Sequence, residues 1–256
     1  MKIDERRTGA IMQRLGMRGD VLIQRLQDVK ENTINAKRNL TTAHPNWNIQ
    51  KDARLLVLGK LINICEITQL SIHLLGKVLD DEWYQSNISH ETQQDPEYKM
   101  ILTIEWEKAT KHRFGMSLFT ITESSFRVFL RSIDSAACRG ATSSFESIYK
   151  CLLGPKQLDF AAADQKLAEE LLDFIRIIRN LIHNDGVFFD EKGKDKVANY
   201  RGSQYNLYNG KPVDFVTWKL LLDLANDIQR LLLLIISQPQ IGSRSEVVDP
   251  FMAFSI

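Results

Sequence analysis

Apolar side chains return at helical spacing along most of this chain, and that periodicity constrains its fold more than any other feature. In residues 50–84, Leu55, Leu58, Leu61, Ile62, Cys65, Leu70, Ile72 and Leu75 make a broad apolar face around His73, which reads as a core or flanking histidine. In residues 215–236 the face is Trp218, Leu221, Leu222, Ala225, Ile228, Leu231, Leu232 and Ile235. Residues 4–40 form a more charged, basic segment carrying Ile11, Leu15, Leu22, Leu26 and Val29, with Gly16 and Gly19 as points where it can break. With 6 Pro and 13 Gly in 256 residues, little stands in the way of long helices.

The breaks that do occur are specific. A turn is expected at Ala43-His44-Pro45-Asn46-Trp47-Asn48 and a polar loop over residues 86–96. A third long helix is expected at about 97–137, with an interruption near Phe114-Gly115 and an end at Cys138-Arg139-Gly140. A short helix over residues 143–153 stops at Gly154-Pro155. The next helix starts near Ala162 or Asp164 and ends at His183. Its Glu169 and Glu170 come early and its Arg176, Arg179 and His183 late, the order a helix dipole favours. Asn184-Asp185-Gly186 then supplies residues that tolerate a left-handed backbone.

After that the period changes. Val187-Phe188-Phe189, residues 197–200 and residues 204–208 read as short strands, with turns at Arg201-Gly202-Ser203 and Asn209-Gly210. The expected fold class is all-α: an antiparallel bundle of five or six helices with a small β-hairpin insertion (187–212) before the last helix. One domain is expected over 1–256, with an N-terminal helical segment at 1–40. The irregular tail at 238–256, carrying Val247, Val248, Phe251, Met252 and Phe254, is expected to pack back or reach a partner.

Composition excludes several functions. Hydrophobic residues at 44% and charged residues at 25% are ordinary globular usage, not a disordered chain. A net charge of +1, from 33 basic and 32 acidic residues, excludes a polycation that coats nucleic acid, though not a local basic face. The start of the chain lacks an apolar signal core, and the most apolar run, 231–236, is too short to span a bilayer; a cytoplasmic protein without membrane association is expected. Cys65, Cys138 and Cys151 are odd in number and widely spaced. They read as small apolar side chains in a reducing compartment rather than a disulfide framework or a zinc site. No P-loop, dinucleotide fingerprint, nucleophile elbow or HExxH occurs, so no metal and no cofactor is expected.

The chemistry-bearing pattern lies in the helix ending at His183. At about 100° per residue, Glu169, Asp173, Arg176, Asn180 and His183 fall on one side, with Arg179 at the margin. Leu171, Leu172, Phe174, Ile175, Ile177, Ile178, Leu181 and Ile182 take the rest. Histidine exchanges protons near neutral pH, arginine presents a fork of donors that suits phosphate, and asparagine can orient either. Together they can cleave RNA without a metal: His183 assists attack of a 2′-hydroxyl on the adjacent phosphate, and Arg176 or Arg179 stabilises charge on pentacoordinate phosphorus. A helix C-cap, with His183 and the arginines near exposed carbonyls, accounts for the same residues structurally. Glu123 and Arg127, an i, i+4 pair in apolar company, read as a helix-fixing ion pair; with Asn184 they are the expected substrate-side residues if the third helix lines the same cleft. His90-Glu91 lacks a second histidine for a metal. His112, beside Lys111 and Arg113, reads as an exposed basic cluster that can meet phosphate. Tyr200, Tyr205 and Tyr208 read chiefly as hairpin residues packed on the bundle, with base stacking as the other role.

Residues 178–187, with Arg179-Asn180 followed by His183-Asn184-Asp185-Gly186, resemble the signature of the HEPN superfamily (higher eukaryotes and prokaryotes nucleotide-binding). Its motif is an arginine, usually followed by a polar residue, then four to six residues before a histidine. Here three residues separate Arg179 from His183, and six separate Arg176 from His183, with Ile177 where a polar residue is usual. The layout is also similar: long helices, a motif late in a helix, a short β segment and a final helix. The resemblance implies an all-α domain of toxin–antitoxin or defence type. In such a domain arginine and histidine act without metal at a cleft commonly shared by two subunits, so an RNA substrate, a homodimer and an antitoxin-like regulatory partner are implied. It equally implies the alternative of a non-catalytic interaction or scaffold module that binds a partner protein or nucleic acid.

Overall fold

Leu22, Leu26 and Val29, a turn apart, lie buried along one side of helix α1 (Gly19–Ala43). Their partners are Leu55, Leu58, Leu61 and Cys65 on helix α2 (Ala53–Val78), against which α1 packs. In the computed structural model the described residues are 19–78, 83, 86, 96–134, 136, 144–158 and 160–248. The expectations for Ile11, Leu15, the basic residues before Gly19, His90-Glu91, Cys138 and the tail beyond Val248 lie outside them.

Helix α3 (Pro96–Ile133) packs on α2 and returns contacts to every later helix. The short α4 (Phe145–Leu152) is capped by Ser144, whose hydroxyl accepts from the Ser147 N–H. Helix α5 (Ala162–His183) leans on α3 and α4, and its far side carries the antiparallel hairpin β1 (Lys196–Tyr200) and β2 (Ser203–Leu207). Helix α6 (Trp218–Ser237), capped by Thr217, runs through the centre against α1, α2, α3 and α5. A four-residue α7 (Pro239–Gly242) follows. The protein is therefore all-α with a small β insertion, and all seven described helices and the hairpin share one continuous apolar core.

Four details differ from the sequence reading. Helix α3 is unbroken at Phe114-Gly115, because Gly115 serves packing: a Cβ there would stand 2.8 Å from Ile182 Cδ1 of α5. Val187 forms only an isolated antiparallel bridge to Pro212, so the sheet has two strands, closed by Arg201 (φ 50°) and Gly202 (φ 72°) in a two-residue turn. Leu70 and His73 are exposed on α2 instead of joining its core face. Cys65 is a free, buried thiol, pushed up to about 12 by burial, whereas Cys151 is disulfide-bonded and not simply an apolar filler.

One helix among the described residues, α2, bears on the expectation that no segment spans a bilayer. By length and composition alone, Ala53–Lys77 is long and apolar enough. In the fold its buried face is taken up by α1 and α3, and it opens on the buried pair Asp52 and Arg54.

That pair fastens the tail. Arg54 is wholly buried and grips Asp52 twice, from Nε to Oδ1 at 2.8 Å and from Nη2 to Oδ2 at 2.6 Å. Its Nη1 donates to the carbonyls of Ile241 (2.8 Å) and Arg244 (2.9 Å), and its plane lies 3.5 Å from the Trp47 ring centre. His44 stacks on the other side of the same Trp47. Asp52 also accepts from the Val247 N–H, and Ala53 donates to the Val247 carbonyl. The tail thus packs back as far as Val248 and is partly helical, not irregular from Gln238.

A second polar junction joins α1, α6 and the hairpin. Asp223 takes hydrogen bonds from Arg25 (2.8 Å) and Lys219 (3.0 Å), and Arg201 and Tyr200 both bond Asp227 at 2.7 Å. Burial raises the Asp223 carboxyl, but the Lys219 and Arg25 hydrogen bonds more than offset it and leave it below the ordinary 3.8. A carboxyl lowered on folding contributes stability above its unfolded value and loses it as pH falls through the folded one. Thermal melts from pH 6 to 3 should therefore show a steeper loss of stability for the wild type than for Asp223→Asn; parallel curves would remove Asp223 from the account.

Candidate nucleic-acid site at the end of helix α5

Phe174 sets the rotation of α5. It is buried beneath Tyr200 (ring centres 4.9 Å apart) and Tyr205 (4.8 Å), and Tyr205 in turn meets Phe215. The first two hairpin tyrosines therefore pack on the bundle, while Tyr208 is exposed. With Phe174, Ile175, Ile178 and Leu181 turned inward, Asn180 and His183 are exposed and Arg176 and Arg179 half-buried.

The helix ends in the manner its last residues suggest. Gly186 N–H bonds the Leu181 carbonyl (2.7 Å) and Asp185 N–H bonds that of Ile182 (3.3 Å), the paired bonds of a Schellman cap. Asp185 (φ 52°) and Gly186 (φ 84°) both adopt the left-handed backbone. The cap is made by main-chain groups. His183, which is exposed, takes no part in it, so the imidazole is neither sealed nor tied to carbonyls. Asn184, expected beside substrate, is the C-cap residue and is exposed.

The two candidate arginines differ in their company. Arg176 is held by acids: its Nη2 lies 3.2 Å from Asp173 Oδ1 and 3.3 Å from Glu146 Oε2 of α4. Asp173 also accepts from the Tyr149 hydroxyl at 2.5 Å, which with burial pushes that phenol up. The Lys150 hydrogen bond, helped by Arg176, holds the Glu146 carboxyl below its usual range. Arg176 is thus a tie between α4 and α5. Arg179 has no acidic partner among the described residues. Its Nη1 donates to Asn180 Oδ1 at 3.0 Å and its guanidinium lies 5.5 Å from the Phe119 ring centre of α3; its Nε, like that of Arg176, is buried with no hydrogen-bond partner. A guanidinium resting on a ring beside an orienting amide, its charge unmatched, is suited to an anion.

Helix α3 forms the other wall. It runs antiparallel to α5, since Lys108 pairs with Asp185 (2.7 Å), Gly115 meets Ile182, and Phe119 lies under Arg179. The Asp185 hydrogen bond raises Lys108 and lowers Asp185. Glu123 and Arg127, both half-buried, bond each other, with Arg127 Nη2 at 2.5 Å from Glu123 Oε1. In this register they stand beyond Phe119, on the side away from His183, and the pair is made within α3. His112, expected as exposed, is half-buried one turn after Lys108. Sequence reasoning left Lys108, Asp185 and Phe119 out of the site. Nothing local marks Lys108 or Phe119, because only the pairing of α3 with α5 brings them there, and Asp185 reads only as a turn residue within the 178–187 signature.

No family model matches the chain, and neither a curated protein nor a solved structure matches it. Among the described residues no three His, Cys, Asp or Glu side chains are grouped to hold a metal ion.

Proposed function

We propose that the end of α5 is a metal-independent ribonuclease site of HEPN type, with Arg179 and Asn180 binding the scissile phosphate and His183 exchanging a proton with a reacting oxygen. The observation that carries this reading is the division of labour between the arginines: acids occupy Arg176, while Arg179, Asn180 and His183 share one accessible edge of the helix. An arginine without a carboxylate keeps its full charge available for phosphate. An imidazole in solvent can give or take a proton without first breaking a structural bond. Because the nucleophile is the RNA's own 2′-hydroxyl, the products are a 2′,3′-cyclic phosphate and a 5′-hydroxyl.

The test is incubation of the full chain with a single-stranded oligoribonucleotide in excess chelator, beside the same sequence as DNA. The reading expects the RNA to be cut and the DNA, lacking the 2′-hydroxyl, to survive. Intact RNA, or equal cutting of both, overturns it.

A second reading, a non-catalytic module binding a partner protein or a second copy, is favoured by one observation. Ile67, Leu70 and Leu74 form an exposed apolar row on α2, and Tyr98, Met100, Ile101 and Ile104 are exposed near the start of α3. On either reading the proposed assembly is a homodimer, with an antitoxin-like protein as the partner that restrains activity.

A further inference from the structure

Cleavage by an internal 2′-hydroxyl needs two proton transfers on opposite sides of phosphorus. The O2′ must lose a proton as it attacks, and the departing O5′ must gain one, with the two oxygens in line. A single imidazole on one side of the phosphate cannot serve both at once. His183 and Arg179, a turn apart on α5, provide one proton carrier and one anion ligand.

The register of α3 provides the second carrier. Lys108 reaches Asp185, two residues after His183, and Gly115 meets Ile182, the residue before it. His112 lies between Lys108 and Gly115 on α3, four residues from the one and three from the other, so it shares their face. It therefore stands across the α3–α5 groove from the end of α5, level with His183. It makes no hydrogen bond or ion pair with any described residue. We infer that His112 is the general base of the reaction proposed above, removing the 2′-hydroxyl proton while His183 protonates the leaving 5′-oxygen. The inference rests on the ribonuclease reading.

The step balances. The O2′–H electron pair forms the new O2′–P bond as the proton passes to His112. The P–O5′ bond breaks, and its electrons take a proton from the His183 imidazolium, leaving a 2′,3′-cyclic phosphate and a 5′-hydroxyl. The surroundings of His112 suit the base. Burial, then Lys108 and Lys111, hold its imidazole below the ordinary 6.5, while Asp185 from α5 and Glu105 pull the other way. A base so placed stays neutral, and able to accept, further into the acidic range.

The experiment uses the full chain and two oligoribonucleotides, one normal and one with sulfur replacing the 5′-bridging oxygen at the cut site. A thiolate leaves without protonation, so the sulfur substrate dispenses with the acid but not the base. His183→Ala is expected to lose roughly 100-fold or more on the oxygen substrate and to regain most of it on the sulfur one; His112→Ala should lose about 100-fold on both. In His112→Asn, which keeps the side chain's polarity and gives a second check on folding by circular dichroism, the acidic limb of the pH–rate profile should disappear. Wild-type rates in both His112 variants overturn the inference and leave the ribonuclease reading standing. Rescue of His112→Ala by sulfur overturns the assignment as base. Absence of cleavage by the wild type on either substrate overturns the ribonuclease reading, and this inference with it.

Discussion

Arg179→Ala is expected to lower RNA cleavage about 10²–10³-fold, while Arg176→Ala stays within a few-fold of wild type. The two residues lie one turn apart on the same helix, so substrate proximity alone would not separate them. Their partners do: Arg176 is engaged by Asp173 and Glu146, and Arg179 rests on Phe119 beside Asn180 with no acid among the described residues. Arg176→Ala should instead appear as a small stability loss, about 0–1 kcal/mol, because its ion pairs are partly exposed. Arg179→Lys separates charge from shape. A lysine restores the charge but not the planar fork, so partial recovery is expected, short of the wild-type rate. The readout is single-turnover cleavage of one labelled oligonucleotide by each variant. A larger loss for Arg176→Ala than for Arg179→Ala would reverse the assignment.

Arg54→Met carries the largest expected effect on stability. It leaves Asp52 buried and charged, with the carbonyls of Ile241 and Arg244 without their donor and Trp47 without its stacked cation. Breaking a buried pair from one side costs about 3–5 kcal/mol, which in a chain of this length lowers the melting temperature by on the order of 10 °C. The double variant Arg54→Met with Asp52→Leu should recover part of that loss, since no charge is then stranded. Recovery stays incomplete because Asp52 also accepts from the Arg54 and Val247 N–H groups. Denaturant unfolding of the wild type and the two variants measures this, and a single variant as stable as wild type would contradict the role given to the clip.

The elements were legible where local chemistry decides them. The start of α5 at Ala162, its end at His183 and the left-handed residues that close it follow from periodicity and turn residues, as do the stop at Gly154-Pro155 and the Arg201-Gly202 turn. What escaped was set by partners far along the chain. Asp52 and Arg54 look like ordinary surface charges, and only the returning tail, with Val247 and the α7 carbonyls, makes them a buried clip. Gly115 looks like a helix breaker until Ile182 is seen pressed against it.

The candidate site was legible in residue type and face, not in role. The spacing placed Arg176, Arg179, Asn180 and His183 together but left either arginine eligible, because helical periodicity says nothing about which guanidinium a neighbouring helix neutralises. Glu146 on α4 pairs with Arg176, and its approach depends on how α4 and α5 pack. His112 and Lys108 sit in a basic stretch that reads as solvated surface; the antiparallel register of α3 and α5 turns them toward the end of α5.

The most direct test of the central claim is the chemistry of the new RNA ends. Mass analysis of oligoribonucleotide fragments made by the full chain in excess chelator should show a 2′,3′-cyclic phosphate on every upstream piece and a 5′-hydroxyl on every downstream piece, both absent with His183→Ala. Fragments ending in 3′-hydroxyl and 5′-phosphate, cyclic ends that persist in His183→Ala, or no fragments at all would contradict it.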